Sequence, residues 1–347
     1  MIAANPRMVK LVRESRSWSQ GHLAQAAEVT QGYVSKVESG LVELTGARLS
    51  AIAAALECPV AVLGIRDAQQ GPEVSCMFHR RRRSRMTASV AKRVEAIGHL
   101  TRISVDALLE RSNVEYNLDR MPLGDYEGDP ARVASALRAR WNVPRGPIEN
   151  LHALMDDVGI VIVVRGFDAV AQDAFSTWPE GKAPLMVVRD GLSADREGFS
   201  ICHELGHIVM HVVPTDDQEQ EADLFAAEFL APAAEIGPQL TGLTTRDFKR
   251  LMDLKQQWRL SIGALIQRAK TLDAISDRQF REFRVKLSQL GWNTVEPAPV
   301  PRHRAHLLET VLASATADCA LTDLPLLAAE TFLGDYYRTA ITRREVS

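Results

Sequence analysis

The sequence predicts an α+β chain that is mainly helical and has more than one domain. Its 347 residues correspond to two or three domains at about 150 residues each. Most segments carry apolar residues at helical spacing, and only three short runs between positions 159 and 189 are typical of strands. Charge is segregated: seven Lys/Arg and no acid lie between 79 and 93, and eight acids and no Lys/Arg between 200 and 235. This indicates separate tasks for separate segments.

Composition excludes several classes of protein. The hydrophobic share of 46% and charged share of 24% are ordinary for globular chains. No apolar run reaches the 18 or more residues of a spanning helix, and no signal-peptide core follows Met1, so we expect a cytoplasmic protein without membrane contact. The cysteines at 58, 76, 202 and 319 have no paired spacing. A disulfide framework or a thiolate zinc site is therefore not indicated, and other ligands must hold any metal.

The first third of the chain is predicted to be all-helical. Within a first domain over 5–66, helices are predicted at 7–15, 20–26, 31–39, 47–56 and 59–63. Residues 67–129 are interpreted as a basic helical connector. It contains five arginines between 80 and 85, a helix reaching about residue 111, and a polar linker from 121 to 130.

The remainder is predicted to carry the sheet. Helices are predicted at 131–141, 148–158, 193–212 and 218–230, and strands at 159–164, 174–178 and 185–189. We expect a domain over 130–240 with a small antiparallel sheet, followed by a helical extension over 241–295. A proline-rich break at 296–301 opens a helical C-terminal region, 296–347, whose role the sequence does not indicate.

The N-terminal domain has the order of a helix-turn-helix. Ser19 can cap the second helix, where Gln20 can donate to a phosphate, and Thr30 can cap the third after a turn at Glu28 and Val29. The exposed start of that third helix presents Gln31, Gly32, Tyr33, Ser35 and Lys36. Glutamine pairs with adenine, and lysine reaches guanine or phosphate. These residue types indicate contact with double-stranded DNA.

Residues 19–40 resemble the repressor domains of the Cro/C1 type (the XRE family), and the resemblance covers about 60 residues. It implies DNA binding. Because one small module rarely gives enough affinity, we expect a homodimer on an operator with two half-sites. Leu44, Thr45 and Gly46 depart from the family, which usually has a proline before the fourth helix. The alternative is a helical bundle for protein contacts. The arginines at 80–85 add phosphate contacts or form a solvated linker; the sequence leaves both open.

A second motif indicates a metal site. His203, Glu204 and His207 form the pattern His-Glu-x-x-His in a helical segment. Histidines four apart on a helix share a face and can bind one zinc ion, while the glutamate can take a proton from water. A second helix, rich in acids, follows at the distance needed to fold back, and a carboxylate from it completes a two-histidine, one-carboxylate site with one open position.

Both segments, with Asp195 and Arg196, resemble the ImmA/IrrE family of zinc metallopeptidases, over residues 130–291. The resemblance assigns His203, His207 and Glu219 as zinc ligands, Glu204 as general base, and Asp223 to orienting a ligand histidine. Glu221 is the alternative third ligand. Gly198 departs from the family, where a second arginine is expected.

Three further features have competing interpretations. His211 lies one helical turn beyond His207, too far to reach the same metal, so we interpret it as a residue that packs beside the ligands or lines a cleft. Cys202 is either a redox-sensitive thiol or a small buried residue. Residues 248–269 are either a second helix-turn-helix or a helical pair that supports the metal domain.

The resemblances imply a fused regulator. Such peptidases cut DNA-bound repressors or antitoxin-like regulators and switch genes on under stress or in mobile elements. The first hypothesis is a zinc endopeptidase with a protein substrate, acting while bound to its operator. The second is a transcription factor or antitoxin whose zinc domain senses or binds a partner without turnover, and self-cleavage alone is a third. Glu204 favours the first, since a sensor needs only the ligands.

Overall fold

A computed structural model describes residues 2–66, 87–110, 112, 114–166, 172–211 and 216–315. The helices are α1 (Pro6–Ser15), α2 (Gln20–Ala26), α3 (Gln31–Glu38), α4 (Gly46–Ala55), α5 (Val60–Leu63), α6 (Ala88–Leu109), α7 (Pro130–Arg140), α8 (Leu151–Asp157), α9 (Ala194–Met210), α10 (Gln218–Leu230), α11 (Ala233–Leu240), α12 (Phe248–Trp258), α13 (Ile262–Thr271), α14 (Asp277–Gln289) and α15 (Leu307–Ala315). The strands are β1 (Val161–Arg165), β2 (Ala174–Thr177) and β3 (Leu185–Arg189). The predicted α+β, mainly helical class is confirmed. Among the described residues, no helix is both long and apolar enough to cross a membrane.

Helices α1 to α5 enclose one apolar core. Its buried members include Met8, Leu23, Val34, Leu49 and Ile52, each from a position at helical spacing. Side chains cap the first three helices: that of Asn5 accepts from the amide of Arg7, that of Ser19 from His22 and that of Thr30 from Tyr33. The caps and the core together fix the position of α3, which leaves its polar face to solvent.

The three strands form a mixed sheet in the order β1-β3-β2. β2 pairs antiparallel with β3, and β1 pairs parallel with β3, with Val161 opposite Leu185. We expected an antiparallel sheet, and for β1 this is wrong. The reason is the strand order. β2 runs opposite to β1, β3 reverses direction again, and β3 then lies between them, so it is parallel to β1 and antiparallel to β2.

The sheet is buried on both faces because its residues alternate between two cores. Ile162, Ala174, Met186 and Val188 pack in the large core that holds α9 and α10. Phe175 and its neighbours Val161, Val163, Leu185 and Val187 pack on the opposite face with residues of α6 and α15.

Helix α6 belongs to two cores at once. Its Ala96 and Leu100 are buried with the N-terminal helices, and its Val105 and Leu108 are buried against the sheet. Gly98 allows the close approach, since a Cβ there would lie 2.9 Å from Cε2 of Phe175. Residues 88–109 of the predicted connector are therefore packed structure. The arginines at 80–85 lie outside the described residues.

Helices α12 to α14 cover the domain that holds α9 and α10. Leu251, Leu254 and Trp258 of α12, and Leu265 and Ile266 of α13, are buried in the large core. This packing agrees with a helical pair that supports the metal domain, since the apolar faces of both helices are covered. The chain after α14 crosses this surface, where Glu296 accepts the amides of Ile262 and Gly263 at the start of α13.

Candidate metal centre and nucleic-acid interface

Helices α9 and α10 bring three potential ligands together. His203 and His207 lie one turn apart on α9 and are 7% and 1% exposed, and their Nε2 atoms are 3.0 Å apart. Glu219, in the first turn of α10, places Oε1 3.4 Å from Nε2 of His207 and Oε2 3.8 Å from Nε2 of His203. One ligand atom from each residue fits within 4.8 Å of the others. Gly206 permits this approach, because a Cβ there would lie 3.0 Å from Phe225 of α10.

Hydrogen bonds on the far side of each ring set which nitrogen carries the proton. Nδ1 of His203 lies 2.7 Å from Oδ1 of Asp223, so it donates to that carboxylate. Nε2 of His211 lies 2.9 Å from Oε2 of Glu221 and donates in the same way. With a neutral ring, Nδ1 of His211 is then an acceptor, and it receives Nδ1–H of His207 at 3.0 Å. His203 and His207 therefore both direct an Nε2 lone pair toward the same point.

This arrangement fits a metal ion. Two lone pairs that face each other at 3.0 Å cannot form a hydrogen bond with each other, whereas a cation between them binds both. Two nitrogen ligands at about 2.0–2.1 Å from a tetrahedral zinc ion lie about 3.3 Å apart, close to the observed separation. Burial lowers the pKa of His207, and the nearby carboxylate of Glu219 offsets this only in part, so the ring is held neutral as a metal ligand must be.

Glu204 lies beside the ligands but outside the ligand group. It is fully buried on α9, and its Oε2 accepts the hydroxyl of Ser176 at 2.8 Å. Ser176 comes from β2 and is itself fully buried. The sequence analysis did not single it out. A serine in a strand that is buried along its whole length would have indicated it, because a buried hydroxyl needs a partner.

The structure separates the roles of the remaining residues at the centre. Asp223 contacts His203, and His211 contacts His207 rather than the point where the ligand atoms converge. Glu221, the alternative ligand, contacts His211 instead. Cys202 is fully buried, and burial raises the pKa of its thiol far above the usual range, as expected of a packing residue.

A cleft of about 1320 Å³ opens next to this centre. Phe199, Leu224 and Ala227 line it from α9 and α10, and residues 189–196, α13, α14 and residues 292–302 supply most of the remaining lining. Asp223 and Gln220 line the cleft on the side of the candidate metal centre. His203, His207 and Glu219 are not among its lining residues. The cleft therefore borders the centre on the side of Asp223.

The exposed face of α3 carries most of the predicted DNA-binding residues. Gln31, Gly32, Ser35 and Lys36 are exposed. Tyr33 is half-buried, and the guanidinium of Arg48 lies 4.9 Å from its ring centroid. Thr30 acts as the cap of the helix rather than as part of its exposed face.

Gln20 is placed differently from the sequence expectation. Its amide nitrogen donates to Oε2 of Glu38 at 2.9 Å, and Glu38 in turn accepts Nε of Arg13 at 2.5 Å. Arg13 is 6% exposed and also donates to the carbonyl of Trp18. One of the two N–H groups of Gln20 is thus used inside the domain, and the other is left for a phosphate.

Comparison with known families agrees with both halves of this description. A helix-turn-helix family model matches residues 9–63, and the model of a peptidase family, described as the IrrE N-terminal-like domain, matches residues 155–270. The chain joins a helix-turn-helix domain to an IrrE-like domain. The helix-turn-helix match contains α2 and α3, and the IrrE-like match contains the sheet, α9 and α10. A search of curated proteins finds no match to the chain.

Proposed function

We propose that this protein is a DNA-binding transcriptional regulator whose IrrE-like domain is a zinc-dependent endopeptidase. The observation that carries the proposal is Glu204, a buried carboxylate that is not in the ligand group and is oriented by Ser176. A centre that only binds metal needs its ligands and has no use for a buried, oriented carboxylate beside them. A peptidase needs such a group as its general base.

Three side chains would hold the ion: His203, His207 and Glu219. Zinc bound there would polarise a peptide carbonyl and lower the pKa of a water in its fourth position to about 7. Glu204 accepts a proton from the attacking water and delivers it to the leaving amine. The hydroxyl of Ser176, which donates to Oε2, orients this carboxylate. Asp223 and His211 keep both imidazoles in the tautomer that binds metal.

The substrate we propose is another regulator, a repressor or antitoxin, whose cleavage switches gene expression. The cleft beside the centre is larger than the roughly 300–1,000 Å³ of small-molecule sites, which favours a polypeptide. The fused helix-turn-helix domain places the peptidase at an operator, where DNA-bound regulators are concentrated. The protein then acts on its substrate where that substrate works.

The helix-turn-helix domain is proposed to read the operator through α3. Gln31 and Ser35 lie one turn apart on the exposed face of α3 and meet base edges, while Lys36 and the second N–H of Gln20 meet phosphates. One such module has few contacts, so we propose a homodimer on two half-sites.

Substitution of Gln31 tests the reading of DNA. Because a bidentate glutamine–adenine contact is worth about 1–3 kcal/mol, Gln31→Ala should weaken binding to a duplex selected by the wild-type protein by that amount. Binding to random-sequence duplex should not change, since phosphates carry it. An unchanged affinity for the selected duplex would exclude Gln31 from base contact.

Incubation with neighbouring gene products tests the peptidase. Zinc-loaded wild-type protein and Glu204→Gln are each mixed with the purified products of adjacent genes and analysed by mass spectrometry. We expect defined fragments of one partner with the wild-type protein and none with the variant at equal zinc content. Equal fragmentation by both would remove Glu204 from the mechanism. If neither cleaves, the alternative of a sensor without turnover is favoured.

A further inference from the structure

A second cleft, of about 620 Å³, lies where α6 meets the helix-turn-helix domain. Ser35 of α3 and Ser39, which follows α3, form part of one wall, and Ser89 and Lys92 of α6 form part of the other. The family match ends at residue 63, so α6 is outside the helix-turn-helix domain as the family defines it. The cleft therefore joins the DNA-reading helix to an element that no DNA-binding assignment includes.

Packing fixes the side of α6 that faces this cleft. Residues four apart on a helix share a face, so Ala88, Lys92 and Ala96 form one stripe along α6. Ala96 is fully buried in the core of the helix-turn-helix domain. Lys92, one turn earlier, is directed toward the same domain but is exposed, because α6 there extends past the core to its rim.

The cleft is continuous with the proposed DNA-binding face. Ser35 is common to both, since it lies on the exposed face of α3 and lines the cleft. Ser19 and Gln20, at the start of α2, line it as well. The start of α2 is the part of a helix-turn-helix that lies against the DNA backbone. Lys92 therefore lies across the cleft from residues that meet the bases and the phosphates.

The charges in the cleft favour an anion. Its two carboxylates, Glu14 and Glu38, lie against Arg13, at 3.5 Å and 2.5 Å. Lys10 of α1 and Lys92 of α6 also line the cleft, are exposed, and have no ion-pair partner among the residues that the structure describes. The three cations of the cleft, Lys10, Arg13 and Lys92, exceed its two acids by one charge, and the two lysines remain for a ligand.

Dimensions favour the DNA backbone as this anion. The major groove is about 12 Å wide, and a helix with its side chains is about 10–12 Å wide. An inserted helix thus fills the groove, and the elements beside it meet the phosphates that form the groove walls. Helix α6 packs against α1 and forms the wall of the cleft opposite Ser35, so Lys92 lies to one side of the helix that enters the groove.

We infer that the N-terminal part of α6 belongs to the DNA interface, with Lys92 and Lys10 contacting neighbouring backbone phosphates. The inference rests on the proposed DNA binding of the helix-turn-helix domain and extends it to the helix that packs on the IrrE-like sheet. The contact carries no sequence information, because phosphates are the same at every base step.

Salt dependence measures this contact directly. Each phosphate neutralised by the protein adds about 0.9 to the slope of log affinity against log salt concentration. Lys92→Gln removes the charge and keeps a polar side chain of similar length. On a 30-base-pair duplex, selected by the wild-type protein from a random-sequence pool, we expect the slope to fall by about 0.9 per bound protomer between about 50 and 200 mM salt. Sequence preference should stay the same.

Two matched variants complete the experiment. Lys249→Gln changes an exposed lysine on α12, far from the cleft in sequence and absent from its lining, and should leave the slope unchanged. Lys36→Gln, on α3, should lower it. An unchanged slope for Lys92→Gln, with a lower slope for Lys36→Gln, would overturn the inference and leave the proposed DNA binding intact. If the wild-type protein selects and binds no duplex, the DNA-binding proposal itself fails.

Discussion

Glu219 and Glu221 lie two residues apart on α10 and have different partners. Glu219 approaches the Nε2 atoms of both proposed ligand histidines, whereas Glu221 accepts Nε2–H of His211. Direct ligation and orientation through another side chain have different effects on affinity. Loss of a ligand removes one of the bonds that hold the metal, while loss of an orienting partner typically weakens metal binding by about 10- to 100-fold.

Zinc affinity should therefore distinguish the two carboxylates. We expect Glu219→Ala, like His203→Ala and His207→Ala, to lose zinc almost completely. Glu221→Ala should still bind zinc, about 10- to 100-fold more weakly than the wild-type protein. Competition with a chromophoric chelator measures both. Gln220→Ala, between them and exposed, is the matched control and should bind as the wild-type protein does. Zinc retention by Glu219→Ala equal to that of Glu221→Ala would show that the ligand assignment is wrong.

For individual residues, the sequence predicted the positions of side chains that belong to the same helix. His203 and His207 share a helix face by spacing alone, as do Gln31 and Ser35. Ser176 could not be placed, because its contact with Glu204 joins a strand to a helix 28 positions later in the chain. For the same reason the sequence could not show that Gln20 uses one donor on Glu38.

At the scale of elements, a buried ion pair joins α9 to α12. Lys255 of α12 is 2% exposed and donates to Asp195 in the first turn of α9 and, at 2.7 Å, to Glu296. Burial alone would raise the pKa of Asp195, but the hydrogen bond and charge of Lys255 outweigh it and hold that pKa below its usual value. The same contacts raise the pKa of Lys255 against the effect of burial.

Lys255→Met should destabilise the protein at neutral pH by about 3–5 kcal/mol, because it leaves a buried carboxylate without its partner. A carboxylate with a lowered folded-state pKa stabilises the fold above its unfolded pKa, about 3.9, and this contribution is lost as pH falls through the folded-state value. Urea unfolding measures the free energy of unfolding, and the difference in this quantity between Lys255→Met and the wild-type protein should thus shrink below about pH 4.

Lys249→Met, at an exposed position of the same helix, is the control and should change the free energy of unfolding by no more than about 0.5 kcal/mol. A constant difference between Lys255→Met and the wild-type protein down to acid pH would show that ionised Asp195 is not the cause of the instability.

The positions of helices could be predicted from capping residues and from the spacing of apolar residues. The pairing of strands could not. Helix α2 has the predicted bounds, as do α10 and β3. Ser19 marks the start of α2, and Pro232 follows soon after the end of α10. Strand order depends on which edges meet across the sheet, so the parallel pairing of β1 with β3 could not be derived from single-strand patterns.

At the scale of the molecule, α6 makes the helix-turn-helix domain and the IrrE-like domain parts of one folded unit. Leu100 is buried with the N-terminal helices, and Val105 is buried against the sheet on the same rigid helix. The sequence indicated a helix here but only a connecting role. The basic residues at the start of α6 and its pattern of polar and apolar residues did not show that two faces of this helix pack in different cores.

A shared helix predicts that both domains unfold together. In hydrogen exchange at increasing urea, α1 and β3 should lose protection at the same denaturant concentration. Leu100→Ala should lower that midpoint for both by removing about 2–5 kcal/mol, since the side chain is 2% exposed. Leu41→Ala, at a position 77% exposed, is the control and should leave it unchanged. Loss of protection in α1 alone would mean that the domains are energetically independent.

The most direct test of the central claim is transcription of the genes whose operators the protein binds, compared in cells that contain either the wild-type protein or Glu204→Gln. The variant keeps the ligands His203, His207 and Glu219 and the exposed face of α3, so it should hold zinc and bind the operator as the wild-type protein does. It cannot accept the proton, a step worth about 10²–10⁴ in rate. We predict that the inducing condition switches these genes with the wild-type protein and fails to do so with Glu204→Gln. Normal switching with Glu204→Gln would contradict the peptidase account and favour a zinc domain that regulates without turnover.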